Sequence, residues 1–128
     1  MIFEIDSLGS EPIYKQLRDQ IVLAIAQNQI AAGELLPSVR LLAEELGVNP
    51  MTISKAYNLL KDEGYLITDR RNGTIVAQQT TFDHTAEKNY QHQLALLLAE
   101  GFLHNQSKEE ILQDVDKYLT HYSKGREE

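Results

Sequence analysis

Two short runs of polar and basic side chains are the residues most able to do chemistry. One run spans residues 49–55, where short polar groups and one cation alternate with apolar residues, and the other is Arg-Arg-Asn-Gly at residues 70–73. Arg40 lies just upstream of the first run. Side chains of these types donate hydrogen bonds to phosphate oxygens and to base edges. The chemistry they offer is binding, because no oriented nucleophile or Gly-rich phosphate loop accompanies them.

The charge of the chain is distributed unevenly. Its 128 residues carry 12 Lys and Arg against 19 Asp and Glu, a net charge of −7. Residues 1–37 have a net charge of −3, residues 78–128 have −4, and residues 38–77 are neutral. Cations that neutralise phosphates supply most non-specific affinity for nucleic acid, so the total charge argues against such binding. Nucleic-acid binding would therefore depend on the local placement of cations within the neutral block, residues 38–77.

Helical periodicity predicts the elements that position these residues. Apolar residues at helical spacing indicate a first helix over about residues 12–28. Ser38 is a good N-cap for a second helix, which Gly47 ends. Asn49 and Pro50 then begin a third helix almost at once. Two helices joined by a short turn around a glycine are typical of a helix-turn-helix.

The third predicted helix has an apolar and a polar face. Ile53, Ala56, Tyr57 and Leu60 form the inward face. The outward residues near its start are Met51, Thr52, Ser54, Lys55 and, one turn on, Asn58. Short polar groups with one cation allow a helix to enter a major groove about 12 Å wide and contact base edges or phosphates. A solvated helix face is the other interpretation of the same pattern.

After the third helix the hydrophobic period changes from 3.6 to 2. Residues 65–69 and 74–78 are predicted strands, and the four residues between them end in an Asn-Gly turn sequence. These four are Arg70, Arg71, Asn72 and Gly73. A hairpin beside a helix-turn-helix is a wing, and an Arg-rich tip could approach a minor groove. The predicted fold class is mainly α with a small β-hairpin, a winged helix-turn-helix followed by a two-helix tail.

The tail is predicted to dimerise. A helix over about residues 84–104 has apolar side chains around most of its circumference, and Ser107 and Glu110 form a capping box for a last helix. One intrachain partner cannot cover that surface, so we expect residues 84–122 to pack against a second copy of the chain. The predicted domains are residues 1–78, which bind DNA, and residues 79–128, which form the dimerisation tail.

The sequence predicts no metal, no cofactor and no membrane segment. His84, His92, His104 and His121 include no pair at i, i+4 spacing, and the chain has no Cys. The longest strongly apolar run, residues 94–99, is too short to span a bilayer. The absence of Cys fits a reducing interior. The expected location is therefore the cytoplasm.

The segment Pro12–Ala77 resembles the winged helix-turn-helix of the GntR family of bacterial transcription regulators. The sequence LPSVRLLAEELGVNPMTISKAYNLLKDEGYL followed by RRNGTIV is similar to the signature of that family. The short two-helix tail resembles the YtrA-like subfamily. The resemblance implies that Arg40 contacts DNA and that the tip glycine, Gly73, enters the minor groove beside Arg70. It further implies a major-groove face made of Asn49, Met51, Thr52, Ser54 and Lys55.

One departure from the family pattern affects the expected specificity. Many relatives have guanine-binding arginines at the positions of Pro50 and Ser54. Their absence here puts the usual operator half-site in doubt and leaves Arg40, Lys55 and the wing as the main candidates for recognition. Ser38 is expected to cap its helix and to contact a phosphate.

The sequence thus predicts a sequence-specific transcription regulator that binds double-stranded DNA. We expect a repressor that occupies a near-palindromic operator as a homodimer. The alternative is a protein-interaction module that uses the winged helix as a scaffold and its acidic faces as a docking surface. An enzyme has no support in the sequence. An apolar crevice between two tails could admit a small-molecule effector, although no residue identifies one.

Overall fold

The computed structural model describes residues 3–127. The chain divides into two compact units, residues 1–79 and residues 80–128. The described residues form five helices and a two-stranded antiparallel sheet. The elements are α1 (Ile13–Ala26), α2 (Val39–Leu46), α3 (Pro50–Asp62), β1 (Leu66–Asp69), β2 (Gly73–Val76), α4 (His84–Leu103) and α5 (Lys108–Glu127). The prediction of a mainly α fold with a winged helix-turn-helix is confirmed.

The N-terminal segment packs along α1 through glutamine side chains. Phe3 is buried in the core of the first unit. The Gln20 amide oxygen accepts from the Glu4 backbone N–H at 2.9 Å, and the Gln16 amide both accepts from the Asp6 N–H at 2.8 Å and donates to its carbonyl oxygen at 2.9 Å. The two amides thus satisfy backbone groups as a neighbouring strand would. The sequence patterns gave no indication of this docking.

The caps of α2 and α3 lie where the sequence predicted them. Ser38 Oγ accepts from the Leu41 N–H at 3.1 Å, and Asn49 Oδ1 accepts from the Met51 N–H at 2.8 Å. Gly47 ends α2 with φ of +67°, which only glycine adopts without steric cost. Short side-chain caps and a left-handed glycine therefore fix the sharp turn between the two helices.

The inward face of α3 forms the centre of the core. The four predicted inward residues, Ile53, Ala56, Tyr57 and Leu60, are all buried. They pack with buried residues of α1, α2 and the hairpin, including Leu17, Ile21, Leu42 and Leu66. Burying the inner face in this way fixes which side chains of α3 remain outside.

The hairpin loop is one residue shorter than predicted, and its strands are Leu66–Asp69 and Gly73–Val76 in place of the predicted residues 65–69 and 74–78. Asp69 pairs with Gly73 in the antiparallel register, so the connection has three residues, 70–72. Gly73 begins β2 with φ of +108° and is not part of the turn. A three-residue connection closed by a glycine at positive φ is a common hairpin geometry, and the four-residue loop of the sequence prediction was wrong.

A third segment extends the small sheet. The Gly33 N–H donates to the Val76 carbonyl at 2.8 Å, the Val76 N–H donates to the Glu34 carbonyl at 3.0 Å, and the Leu36 N–H donates to the Thr74 carbonyl at 2.9 Å. These bonds occupy the edge of β2 that β1 leaves open. The loop before α2 therefore supports the wing, which its Gly- and Pro-containing sequence did not reveal.

The second unit consists of α4, α5 and a short connection. The predicted capping box is confirmed, because the Glu110 N–H donates to Ser107 Oγ at 3.0 Å and Glu110 Oε1 accepts from the Ser107 N–H. No residue from 80 to 126 is buried. The most exposed large apolar side chains in this range include Leu97, Phe102, Leu103 and Leu119. The two helices thus leave most of their apolar surface uncovered.

Residues 3–127 contain neither a cluster of metal ligands nor a membrane-spanning helix. No three His, Asp or Glu side chains in this range lie close enough to hold a metal ion. None of the helices in the same range combines the length and the hydropathy needed to cross a bilayer.

Candidate nucleic-acid interface

The polar face of α3 borders an open groove. Tyr14 of α1 forms one wall of this groove. Its other lining residues are Met51, Thr52, Ser54, Lys55, Asn58, Leu59 and Asp62, all on α3. The structure therefore places four of the candidate binding residues, from Met51 to Lys55, along one surface. We call this surface the α1/α3 groove.

The exposure of these residues suits close approach by a large ligand. Met51 is 78% exposed, and Lys55 and Asn58 are also exposed. Thr52 and Ser54 are half-buried, because their short side chains lie close to the helix surface. The long Met51 and Lys55 side chains stand on either side of the short Thr52 and Ser54, so the backbone of α3 can approach a partner closely while several hydrogen-bonding groups face it.

Lys55 is held by an aromatic ring. Its ammonium group lies 4.0 Å from the centroid of the Tyr14 ring. At this distance the cation is attracted to the negative face of the ring. The contact turns the long Lys55 side chain towards α1.

Arg40 lies in the first turn of α2 and is exposed. It does not line the α1/α3 groove. The start of α2 is fixed by Ser38, which caps it, and by Tyr57, whose hydroxyl donates to the Pro37 carbonyl at 2.7 Å. The buried face of α3 therefore helps to fix the turn that carries Arg40.

Tyr57 acts in this contact as a hydrogen-bond donor. Burial raises the pKa of its hydroxyl above the ordinary value of 10.0, and the negative charge of Glu45 raises the pKa further. The protonated hydroxyl is the form that can donate to the Pro37 carbonyl. The contact is thus maintained throughout the neutral range.

The side chains of Ser38 and Asn49 serve first as caps. Each uses an oxygen atom to accept a backbone N–H of its own helix. The Ser38 hydroxyl hydrogen and the Asn49 amide group can still donate to a phosphate. The helix starts also direct backbone N–H groups outward, which favours an anion.

The wing tip is ordered by Asp69, which the sequence predictions did not include. Asp69 accepts from the Arg71 backbone N–H at 2.9 Å and from Asn72 Nδ2 at 3.2 Å. The Asn72 side chain therefore acts within the turn, whereas Arg70 and Arg71 are exposed. An Asp immediately before a turn often accepts a hydrogen bond from the backbone N–H two residues further along the chain. The position of Asp69 directly before Arg-Arg-Asn-Gly could therefore have indicated its role in the turn.

A second missed residue, Arg18, ties α1 to the end of α3. Its guanidinium makes two hydrogen bonds of 2.9 Å to the Glu63 carboxylate and one of 3.0 Å to Asp19. Hydrogen bonding to Glu63 is the main cause that raises the pKa of Arg18 above its usual value. The Arg18–Glu63 pair thus fixes α1 against the C-terminal end of the helix whose N-terminal half lines the groove.

The sequence profile described as "Bacterial regulatory proteins, gntR family" matches residues 13–76. The chain belongs to the GntR family. The HTH-type transcriptional regulator YhcF of Bacillus subtilis is 32% identical over 116 residues, which cover 86% of this chain and 92% of that protein. The HTH-type transcriptional repressor YtrA of the same organism is 39% identical over 77 residues, 60% of this chain and 59% of that protein.

Solved structures of similar proteins agree with the family assignment. A transcriptional antiterminator from Listeria monocytogenes EGD-e has a TM-score of 0.83 and 29% identity, and the match covers 92% of this GntR-family chain and 90% of that one. YtrA from Sulfolobus acidocaldarius, a GntR-family transcription factor, has a TM-score of 0.66 and 34% identity, and the match covers 80% of this chain and 99% of that one. AraR(DBD) in complex with operator ORX1 has a TM-score of 0.54 and 29% identity, and the match covers 60% of this chain and 99% of that one.

Proposed function

We propose that this GntR-family protein regulates transcription by binding a specific operator in double-stranded DNA. The observation that carries the proposal is the exposed polar face of α3, where Met51, Thr52, Ser54 and Lys55 line one open groove. A helix with such a face can enter the major groove with its N-terminal residues at the base edges. The operator complex of the similar AraR(DBD) supports the same role.

We assign complementary roles to the other exposed groups. Arg40, in the first turn of α2, is exposed and can contact a base or a flanking phosphate. Arg70 and Arg71 extend from the wing turn, and Gly73, which follows the turn at the start of β2, would enter the minor groove beside them. These few cations act locally, so the net charge of −7 does not prevent binding. Affinity should decrease as salt concentration rises, with a slope set by the number of phosphates that these cations contact.

We further propose that the protein is a homodimer through residues 84–122. Large apolar side chains on α4 and α5 are exposed, among them Leu97 at 66%, Phe102 at 73% and Leu119 at 58%. An uncovered apolar surface of this kind is typical of an association site. Two copies of α3 would then reach successive major grooves about 34 Å apart on a near-palindromic operator. In this proposal residues 1–78 bind DNA and residues 79–128 dimerise.

We favour repression as the mode of action and the cytoplasm as the location. The similar Bacillus subtilis protein YtrA is named a transcriptional repressor, and a dimer bound across a promoter blocks polymerase without further contacts. A crevice between α4 and α5, lined by apolar residues such as Leu98, Ile111 and Tyr118, is the place where a small-molecule effector would alter the dimer.

Selection from a pool of random duplex sequences tests the proposed function. The wild-type protein should enrich a near-palindromic motif whose half-sites lie one helical turn apart. Arg40→Ala should enrich the motif less strongly, whereas Arg126→Ala, which removes the same charge from α5, should enrich it as the wild type does. Failure of the wild-type protein to enrich any sequence would contradict the proposal and favour the protein-interaction alternative.

A further inference from the structure

One wall of the α1/α3 groove lies outside the helix-turn-helix. Tyr14 lies in the first turn of α1 and is only half-buried. Its ring lines the α1/α3 groove and lies 4.0 Å from the Lys55 ammonium. Tyr14 therefore faces the same surface as the candidate DNA-binding residues of α3.

We propose that Tyr14 is a positioning residue for DNA recognition. Its ring holds the Lys55 ammonium at the α1 edge of the groove, where Lys55 binds a backbone phosphate of the operator and not a base edge. The inference rests on the proposed function, because it assigns a role within the same interface.

The type of contact keeps the Lys55 charge available. A carboxylate partner would neutralise the ammonium, as Glu11 does for Lys15 at 3.2 Å. Among residues 3–127, no carboxylate lies within ion-pair distance of Lys55. The Tyr14 ring attracts the cation without carrying a negative charge. Lys55 is thus positioned and still able to attract an anion from the solvent.

The position of Lys55 favours a phosphate over a base. Residues at the N-terminal end of a recognition helix reach the base edges, and here that end is occupied by Met51 and Thr52. Lys55 lies one turn further along, with its ammonium drawn sideways over Tyr14. An ammonium is also a compact point charge without the planar fork that suits two-point contacts. A phosphate at the edge of the groove fits both properties.

Holding the side chain in advance also favours binding. A lysine side chain has many rotamers, and ordering it on association costs conformational entropy. The ring of Tyr14 restricts the Lys55 side chain before DNA arrives. Removing the ring should therefore weaken binding even if Tyr14 itself never touches the duplex.

Fluorescence anisotropy with a duplex selected by the wild-type protein tests the inference. Lys55→Met should lower the slope of log K against log salt by about 1 and weaken binding equally on the selected duplex and on its single-base variants. Lys15→Met, whose ammonium is already paired with Glu11, is the charge-matched control and should leave the slope unchanged. A loss confined to one base position, with an unchanged slope, would make Lys55 a base contact and overturn the inference.

A double-mutant cycle tests the role of Tyr14. Tyr14→Met should weaken binding about two- to fivefold, because it removes an exposed cation–π contact. Tyr14→Phe keeps the aromatic ring and should bind with wild-type affinity. In the Lys55→Met background Tyr14→Met should have no further effect. Equal losses with and without Lys55 would show that Tyr14 acts through packing alone.

Failure of this inference is distinguishable from failure of the proposed function. If the wild-type protein selects no duplex sequence, the proposed function fails. If it selects one and Tyr14→Met binds it as tightly as the wild type, only the positioning role of Tyr14 fails. Should Tyr14→Met not fold, as judged by circular dichroism, the salt slope and base profile of Lys55→Met with intact Tyr14 still decide which group Lys55 contacts.

Discussion

The Tyr57 hydroxyl donates a 2.7 Å hydrogen bond to the Pro37 carbonyl, one residue before the Ser38 cap. Tyr57 belongs to the buried face of α3, whereas Pro37 precedes the turn of α2 that carries Arg40. One hydrogen bond therefore connects the inner face of the proposed recognition helix with the position of a proposed DNA contact. Core packing and the candidate interface are coupled at this point.

Tyr57→Phe should reduce the free energy of unfolding by about 1 kcal/mol, because the Pro37 carbonyl loses its protein partner. Urea denaturation followed by circular dichroism measures the change. Tyr90→Phe removes a hydroxyl from a tyrosine that is 46% exposed and should change the stability little. Equal effects of the two substitutions would contradict a special role for Tyr57.

The same residue predicts a pH dependence. Burial raises the folded-state pKa of Tyr57 above 10.0, the value expected in the unfolded chain. Above pH 10.0 the unfolded state therefore loses this proton before the folded state does. The stabilisation from Tyr57 is fully present below that pH and should decrease as the pH rises through 10.0 towards the folded-state pKa. Denaturation curves on both sides of pH 10.0 should show a smaller decrease for Tyr57→Phe than for the wild type.

Arg40→Ala should weaken operator binding by about 1–3 kcal/mol if the guanidinium makes a two-point base contact. Arg40→Lys keeps the charge but loses the planar fork, so it should recover less than the full affinity and relax the preference at one base pair. Competition assays with single-base operator variants measure both effects. Wild-type affinity for Arg40→Ala would remove Arg40 from the interface.

Removing the Asp69 carboxylate has two opposite expected effects on operator affinity. Loss of its negative charge should strengthen binding, whereas loss of order in the wing turn should weaken it. Asp69→Ala removes a negative charge near the wing tip, but it also removes the acceptor for the Arg71 N–H and the Asn72 amide. We expect weaker operator binding by about 0.5–1.5 kcal/mol, the contribution of a typical hydrogen bond.

Asp69→Asn separates these two effects. Its amide oxygen can still accept from the Arg71 N–H, while the negative charge is gone. We expect affinity equal to or greater than that of the wild type, measured in the same titration as Asp69→Ala. Tighter binding by both variants would show that charge alone matters and that the order of the turn does not.

Phe102→Glu should convert the proposed dimer into a monomer. Phe102 is 73% exposed on α4, and a carboxylate buried without a partner at an apolar interface is strongly unfavourable. Sedimentation velocity measures the change, and Asn89→Glu, at an exposed polar position of α4, should remain dimeric. A monomeric wild-type protein, or a Phe102→Glu variant that sediments as the wild type does, would refute dimerisation through this surface.

Local patterns predicted much of the fold because local interactions determine it. The Ser38 and Asn49 caps, the left-handed Gly47 and the capping box of Ser107 and Glu110 each depend on residues within four positions of one another. Helical periodicity likewise identified the buried face of α3. These features can be inferred from a short window of sequence.

The features that the sequence did not reveal depend on distant residues. The Tyr14–Lys55 contact joins residues on two different helices, and the Arg18–Glu63 pair spans 45 positions. Periodicity assigns such side chains to a face but does not give their partners. The edge segment around Leu35 was missed for the same reason, because its hydrogen bonds lie on β2, about 40 positions away.

We propose above all that this acidic chain recognises one duplex through a few exposed groups on its first unit. Anisotropy titration of the wild-type protein, with the selected duplex and a scrambled duplex of equal length and composition, tests it most directly. We predict binding to the selected duplex at least about 10³-fold tighter at physiological salt, the lower end of specific recognition. Equal affinity for the two duplexes would contradict the claim.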